Sequence, residues 1–210
     1  MAVATVLAVH PKDPEARKVK EVVSVLADGG IVIAPTDAVY AFICSSQQPR
    51  AIERLASLKG VRPEKAELSL ICRDLSDASL YARQMDTAVF RMMKKALPGP
   101  YTFILPATAE VPNLFKVKRR TVGIRVPAHP ILQAILTELG HPLVAASVHG
   151  PDPFITHAYK VEEIQEQFAA KVDLIIDGGP GAIVGSTVID VTGAEPHIVR
   201  EGAGPVEGLF

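Results

Sequence analysis

The stretch GGIVIAPTDAVY, residues 29–40, decides the fold of this chain. Its apolar run 31–34 is typical of a buried strand, and the polar triplet Pro35-Thr36-Asp37 follows directly. In open α/β sheets, ligands bind outside the carboxyl ends of strands. A strand end that carries a hydroxyl, a carboxylate and the nearby ring of Tyr40 therefore predicts a site for a small polar molecule.

Helix-like and strand-like segments alternate around this stretch, which predicts an α/β fold with a mixed sheet. Asp13 is the expected N-cap of a first helix that has Pro14 at its first position. Asp86 is expected to cap another helix, and Pro130 to begin one that Gly140 ends. Strand-like runs are predicted at 31–34, 68–72, 101–105, 121–126, 143–147, 174–176, 188–191 and 198–200.

Composition restricts the class of protein further. The chain has 210 residues, is 48% hydrophobic and carries a formal net charge of −1, which argues against a protein that coats nucleic acids generally. Cys44 and Cys72 show no CxxC spacing and are expected to be buried, reduced thiols. The sequence shows no signal peptide and no run of membrane-spanning length. We therefore expect one cytoplasmic domain over residues 1–210, with no membrane partner.

Two polar sites follow apolar segments. Lys59-Gly60-Val61-Arg62-Pro63 comes after a predicted helix and places two cations at a corner made rigid by proline. Such a corner suits a triphosphate, although basic residues also favour a solvated helix end. Ser147 ends a buried strand and either offers its hydroxyl to a ligand or belongs to a simple turn.

Other candidate groups leave more than one interpretation open. The glycine-rich segments 178–181 and 185–187 lack the lysine of a P-loop, so they are either a backbone phosphate cradle or an ordinary loop. His149, Asp152 and His157 match no standard metal spacing, and no protein-bound metal is expected. The densest basic cluster meets either RNA phosphates or a nucleotide, or it lies on a solvated loop between strands. It consists of Lys116, Lys118, Arg119 and Arg120.

As a set, several of these segments resemble the YrdC/YciO-like family, whose best-known members are threonylcarbamoyl-AMP synthases. The branch it resembles most is the YciO type, through residues 69–75 and 199–202. The segments that carry the resemblance, in chain order, are 35–40, 59–63, 97–102, 123–127, Ser147, 185–190 and 199–202.

The resemblance implies a YrdC-like twisted mixed sheet with surrounding helices and a large open cavity. It implies a nucleotidyltransferase that acts on ATP, L-threonine and bicarbonate in the tRNA threonylcarbamoyladenosine pathway, with Mg²⁺ accompanying ATP. Carried over by position, the catalytic residues are Lys59, Arg62 and Ser147, the substrate-binding residues Thr36, Tyr40 and Arg125, and the nucleotide-binding residues Ser186, Thr187 and Arg200. Thr36, Ser147 and Ser186 are expected to face one cavity.

Two departures keep a second function open. The synthases typically carry Lys-x-Arg and Ser-x-Asn, whereas here two residues separate Lys59 from Arg62, and His149 stands two after Ser147. A neutral histidine offers fewer donors than an amide. The alternative is therefore a non-catalytic or weakly catalytic protein that binds a nucleotide, tRNA or double-stranded RNA, with the basic cluster as its RNA contact.

The Lys59/Arg62 corner gives the first testable prediction. If ATP binds there, Arg62→Ala removes a forked donor that lysine cannot replace, and ATP affinity should fall about ten- to hundredfold. Thermal melts should show the fold intact, because the corner carries little core packing. Equal ATP affinity in the wild type, Lys59→Ala and Arg62→Ala would rule out this phosphate site.

Overall fold

The computed structural model describes residues 3–60, 68–83, 85–112, 121–148 and 160–210. No helix in these ranges is long and apolar enough to cross a bilayer. The helices are α1 (Ala16–Ala27), α2 (Pro49–Leu58), α3 (Leu75–Tyr81), α4 (Thr87–Ala96), α5 (Pro130–Leu139) and α6 (Val161–Phe168). The strands are β1 (Thr5–Ala8), β2 (Val32–Ala34), β3 (Ala41–Ser45), β4 (Ser69–Ile71), β5 (Tyr101–Pro106), β6 (Thr121–Arg125), β7 (Leu143–Ser147), β8 (Leu174–Asp177), β9 (Thr187–Asp190) and β10 (His197–Arg200).

The ten strands form one mixed sheet in the order β1-β8-β2-β3-β7-β4-β6-β5-β9-β10. β8 is parallel to both β1 and β2, whereas β3 is antiparallel to both β2 and β7. The predicted α/β fold with a mixed sheet is confirmed. That the whole of residues 1–210 forms one domain stays a prediction.

Helices pack on both faces of this sheet. The buried residues of α2, α3, α4 and α6 join the larger apolar cluster, together with side chains such as Phe42, Phe103 and Ile124. Those of α1 and α5 join a second cluster with Ile43 and Leu143 on the opposite face. The alternation of side chains along each strand separates the two clusters.

The α1/α5 face is only partly covered by these two helices. Their apolar cluster includes residues of β2, β3, β4, β7 and β8 but, among the described residues, none of β5, β6, β9 or β10. On β5 and β6 the residues of this face are half-buried except for the buried Arg125, whereas those of the opposite face are buried. The fold thus leaves part of one sheet face partly exposed beside α5.

Local capping residues in the sequence predicted several helix ends correctly. The Asp86 carboxylate accepts a hydrogen bond from the Val89 N–H and caps α4, as predicted. Pro130 begins α5, and Gly140 ends it with a φ of 77°, which is the left-handed conformation that glycine adopts readily.

The prediction of the first helix start was wrong. α1 begins at Ala16, with Glu15 rather than Asp13 at the N-cap. The Asp13 N–H donates to Nδ1 of His10, and the Glu15 carboxylate accepts from the His10 N–H and from Lys18. These local bonds close residues 10–15 into a turn, so the aspartate does not cap the helix.

Four elements were not predicted, namely β1, β3, α3 and α6. β3 is a short apolar run buried on both faces, and periodicity cannot separate such a run from a helix segment. α6 contributes only Val161, Ile164 and Phe168 to the core, at helical spacing within eight residues. Short elements of this kind depend on tertiary packing more than on their own pattern.

Both cysteines are free and fully buried, as predicted. Burial raises the pKa of the Cys44 thiol and of the Cys72 thiol to about 12. Since the thiolate is the reactive form, folded protein at about pH 8 should react very slowly with a thiol reagent. The same titration in denaturant should find two thiols, and fast reaction of either thiol in the folded protein would contradict the assigned burial.

Candidate functional site

A buried ion pair lies at the centre of the candidate site. Asp37 lies between β2 and β3, and Arg125 is the last residue of β6. Nη2 of Arg125 donates to Oδ1 of Asp37 at 2.8 Å, and the backbone N–H of Ala128 donates to Oδ2 at 2.8 Å. Asp37 therefore ties the turn after β2 to the segment that leads from β6 into α5.

Arg125 is not fully satisfied by this pairing. Its side chain is 5% exposed, and its Nε has no hydrogen-bond partner among the described residues. Burial lowers the pKa of the Arg125 guanidinium, the Asp37 carboxylate opposes this, and the positive charge of Arg200 lowers it further. A buried donor without a partner is rare, and it points to an anionic or carbonyl group as its missing acceptor.

Two further groups surround Asp37. The Thr36 hydroxyl donates to the Val39 carbonyl at 2.8 Å and accepts from the Ala38 N–H at 2.9 Å, so it closes the turn that presents Asp37. His129 precedes α5, and its Nδ1 is buried without a hydrogen-bond partner among the described residues. Burial lowers the pKa of His129, while the negative charge of Asp37 acts in the opposite direction.

Lys59 and Ser147 form a second part of the site. Nζ of Lys59 donates to the backbone carbonyl of Ser147 at 2.9 Å. Ala41 pairs with Ala34 on β2 and with Ser147 on β7, so the ends of β2 and β7 lie at the same edge of the sheet. Lys59 thus brings a cation to the strand end at which Ser147 was predicted to act.

Ser186 and Arg200 form a third part. Nε and Nη2 of Arg200 donate to the Ser186 carbonyl at 3.3 and 3.0 Å, and the Ser186 hydroxyl lies 2.8 Å from Oγ1 of Thr102. Ser186 is buried, whereas Arg200 is exposed. Because Arg200 is close enough to lower the pKa of Arg125, both cations and the Asp37 carboxylate share this region.

The C-terminal segment holds Ser186 in place. The Thr187 hydroxyl donates to the Gly204 carbonyl and accepts from the Gly202 N–H at 2.9 Å. A Cβ on Gly202 would lie 2.3 Å from the Gly185 carbonyl oxygen, so only glycine permits this approach. The Tyr101 hydroxyl adds a bond to the Pro205 carbonyl at 2.8 Å.

Tyr40 and Thr187, predicted to bind substrate and nucleotide, are both fully buried with engaged hydroxyls. The Tyr40 hydroxyl donates to the Gly179 carbonyl at 2.6 Å and accepts from the Gly178 N–H at 3.4 Å. A direct ligand contact would require both side chains to leave these partners. We therefore assign Tyr40 and Thr187 to positioning the glycine-rich segments.

The amides of the first glycine-rich segment are used internally. Besides the bond from Gly178 to Tyr40, the Gly179 N–H donates to Oδ1 of Asp177 at 3.0 Å. A Cβ on Gly178 would lie 2.7 Å from Cγ of Pro35 and 2.9 Å from Cδ1 of Ile131, which explains the glycine by close packing. This favours the ordinary-loop interpretation over a phosphate cradle for these two amides.

Ser147 and Ser186 lie on the α1/α5 side of the sheet, and Thr36 precedes Asp37, which contacts Arg125 of that side. Ser147 shares its face with Leu143 and Ala145, which belong to the α1/α5 cluster. The Ser186 hydroxyl meets Thr102, which alternates with the buried Tyr101 and Phe103 of the opposite face. Thr36 adjoins Asp37, whose partner Arg125 alternates with Ile124 of that opposite face.

Several predicted residues lie outside the described residues. They are Arg62 of the Lys59 corner, the basic cluster of Lys116, Lys118, Arg119 and Arg120, and the candidate metal residues His149, Asp152 and His157. Their roles stay predictions. In the described ranges, no three histidine, cysteine, aspartate or glutamate side chains group as metal ligands would.

Sequence reasoning placed the Asp37 carboxylate at the predicted site but gave it no role of its own, and it did not assign Thr102 or His129 to the site. Thr102 and His129 had no signal in the sequence, since each acquires its neighbours only when β5 and α5 pack beside β6 and the turn after β2.

Comparison with known proteins identifies the family of this chain. The sequence matches Sua5/YciO/YrdC, described as telomere recombination, over residues 24–202. The chain belongs to this family. The uncharacterised protein YciO of Escherichia coli K12 is 41% identical over 200 residues, which cover 95% of this chain and 96% of that protein. A crystal structure of E. coli YciO matches with a TM-score of 0.91 at 39% identity, over 99% of this chain and 100% of that one.

Members with a named activity are more distant. The threonylcarbamoyl-AMP synthase of Halorhodospira halophila is 31% identical over 173 residues, which cover 82% of this chain and 88% of that protein. The crystal structure of Pyrococcus abyssi Sua5 complexed with L-threonine has a TM-score of 0.86 at 27% identity, over 95% of this chain and 58% of that one. The YrdC/YciO resemblance and its YrdC-like fold are thus confirmed.

The Asp37–Arg125 pair gives a stability prediction. Asp37→Asn leaves the buried Arg125 charge without its counterion and should lower the free energy of unfolding by about 3–5 kcal/mol. Combining it with Arg125→Met removes both charges, so the double variant should lose much less than the sum of the single changes. Urea unfolding of the wild type, Asp37→Asn, Arg125→Met and the double variant measures this coupling. Additive losses of stability would show that the pair does not act as a unit.

Proposed function

We propose that this protein is a threonylcarbamoyl-AMP synthase-like nucleotidyltransferase. The observation that carries the proposal is the buried Arg125 on the α1/α5 side of the sheet, which Asp37 holds at Nη2 and whose Nε has no partner in the part of the chain that the structure describes. Lys59 and Arg200 supply two further cations at other parts of the same site. Relatives named as threonylcarbamoyl-AMP synthases support the same chemistry.

In the proposed reaction, the amine of threonine takes up bicarbonate-derived carbon dioxide to give a carbamate. A carbamate oxygen then attacks the α-phosphorus of ATP, and the bond to pyrophosphate breaks. The protein's part is to hold two anionic reactants together and to offset their charge. Cations, hydroxyls and backbone groups suffice for this, and a covalent nucleophile is not required.

Each part of the site receives a role under this proposal. Arg125, beside the turn closed by Thr36, binds the carboxylate or carbamate of the amino acid. Lys59 and Ser147 hold the triphosphate, with Arg62 added from the sequence. Ser186 and Arg200 line the nucleoside side. Mg²⁺ enters with the triphosphate as part of the substrate.

Binding of tRNA or double-stranded RNA stays a prediction from the sequence. The basic cluster on which it rests lies outside the described residues. We therefore place RNA after the small-molecule reaction, as a separate property with its own signature. Removing Lys118, Arg119 and Arg120 would flatten the salt dependence of RNA affinity by about one log–log unit for each lost phosphate contact.

The proposal predicts threonine-dependent release of pyrophosphate. The wild-type protein is incubated with ATP, Mg²⁺, bicarbonate and one amino acid at a time, and pyrophosphate is measured. Lys59→Gln should reduce the rate about ten- to hundredfold, because it removes a charge-assisted contact to phosphate. Lys94→Gln is the matched control, since Lys94 is an exposed lysine in the last turn of α4, which carries none of the proposed site residues, and it should keep the full rate.

Two results would contradict the proposal. The first is pyrophosphate release that does not depend on any amino acid. The second is unchanged ATP affinity and rate in Lys59→Gln, with melting behaviour equal to that of Lys94→Gln, because this would remove the triphosphate from the β7 strand end.

A further inference from the structure

We infer that ATP crosses the sheet over Gly123, and that the missing side chain at this residue provides the space in which the nucleotide lies. The inference rests on the proposed function, because it takes Ser186 and Arg200 as the nucleoside side and Lys59 and Ser147 as the phosphate side. Gly123 is the middle residue of β6, between these two parts of the site.

The strand order sets the path between the two parts. Across this part of the sheet the strands lie side by side in the order β9, β5, β6, β4, β7. Ser186 meets Thr102 of β5, and Lys59 meets Ser147 at the end of β7. With about 4.8 Å between adjacent strands, β5 and β7 lie about 14 Å apart. The register places Thr102 level with Arg125, Ile71 and Leu143, four residues along from Ser147, so a path between the two parts runs diagonally across the sheet. A ligand that joins the two parts must cross β6.

Gly123 faces the side of the sheet on which this ligand would lie. A Cβ built on Gly123 would lie 3.3 Å from Cγ2 of Thr102 and 3.5 Å from Cβ of Ser69, so the three residues share one face. Thr102, Ser69 and Gly123 are all half-buried, and the α1/α5 apolar cluster includes none of them. Gly123 pairs with the half-buried Ile104 of β5, so its missing side chain leaves a shallow depression bounded by Thr102, Ser69 and Ile104.

Packing within the protein does not by itself require glycine here. β6 is an interior strand, and glycine weakens strand interiors because it has more conformational freedom than other residues. A methyl group would press on Thr102 by only a few tenths of an ångström, unlike Gly202, where a Cβ would lie 2.3 Å from a backbone oxygen. A glycine in a strand often marks the close approach of a ligand to the backbone.

The test separates clearance for ATP from packing against Thr102. Thr102→Ser removes the Cγ2 methyl but keeps the hydroxyl that meets Ser186. This single variant is the reference, and the test variant is the double variant Gly123→Ala/Thr102→Ser. ATP·Mg and L-threonine are titrated separately into folded protein by calorimetry, and each variant is melted. Gly193→Ala is the matched glycine control, because a Cβ there meets nothing closer than 3.7 Å.

The double variant should bind ATP about tenfold more weakly than Thr102→Ser, since overpacking of this kind corresponds to about a tenfold change in affinity. Its threonine affinity and melting temperature should match those of Thr102→Ser, and Gly193→Ala should bind both ligands as the wild type does. Unchanged ATP affinity in the double variant would overturn the inference and leave the proposed function standing. Equal loss of ATP and threonine would overturn it in favour of a packing role, and a wild type that binds no ATP would overturn both proposals.

Discussion

The rest of the site depends on the buried ion pair between Asp37 and Arg125. Asp37 accepts from the Arg125 guanidinium and from the Ala128 N–H, so one carboxylate fixes the turn after β2, the end of β6 and the approach to α5. A buried guanidinium is tolerated only with such a counterion. The pair leaves Nε of Arg125 without a partner among the described residues, so Arg125 is a candidate binding group as well as a structural one.

The helices cover the two faces of the sheet unequally, and the Asp37–Arg125 pair lies on the less covered face. One face is packed by α2, α3, α4 and α6, whereas α1 and α5 cover the strands from β8 to β4 on the other. From Ser69 of β4 outward, this second face carries half-buried residues such as Thr102, Ile104 and Gly123, together with the buried Arg125. A polar ligand can reach the backbone there without displacing an apolar core, which agrees with the nucleotide chemistry proposed for the family fold.

Several of the residues that resemble family motifs act by holding others in position. Thr187 is bonded to Gly202 and Gly204, and Tyr40 to Gly178 and Gly179, so neither hydroxyl is free for a ligand. The C-terminal segment thereby fixes Ser186 and Arg200, and the Tyr40 hydroxyl fixes the loop after β8. A motif can thus match because of the packing around a site as well as because of contact with a ligand.

The sequence by itself determined the local features. Asp86 caps α4 and Gly140 ends α5 because both depend on atoms within a few residues, and the apolar runs of β2, β7 and β8 specified buried strands. The same reasoning failed at Asp13, where neighbouring side chains bonded the turn instead. Only the tertiary structure decided that Asp37 meets Arg125, 88 residues away, and that Gly123 lies between Thr102 and Ser69. Such contacts follow from strand order and sheet coverage, which are set by packing of distant segments and leave no periodic signal in the chain.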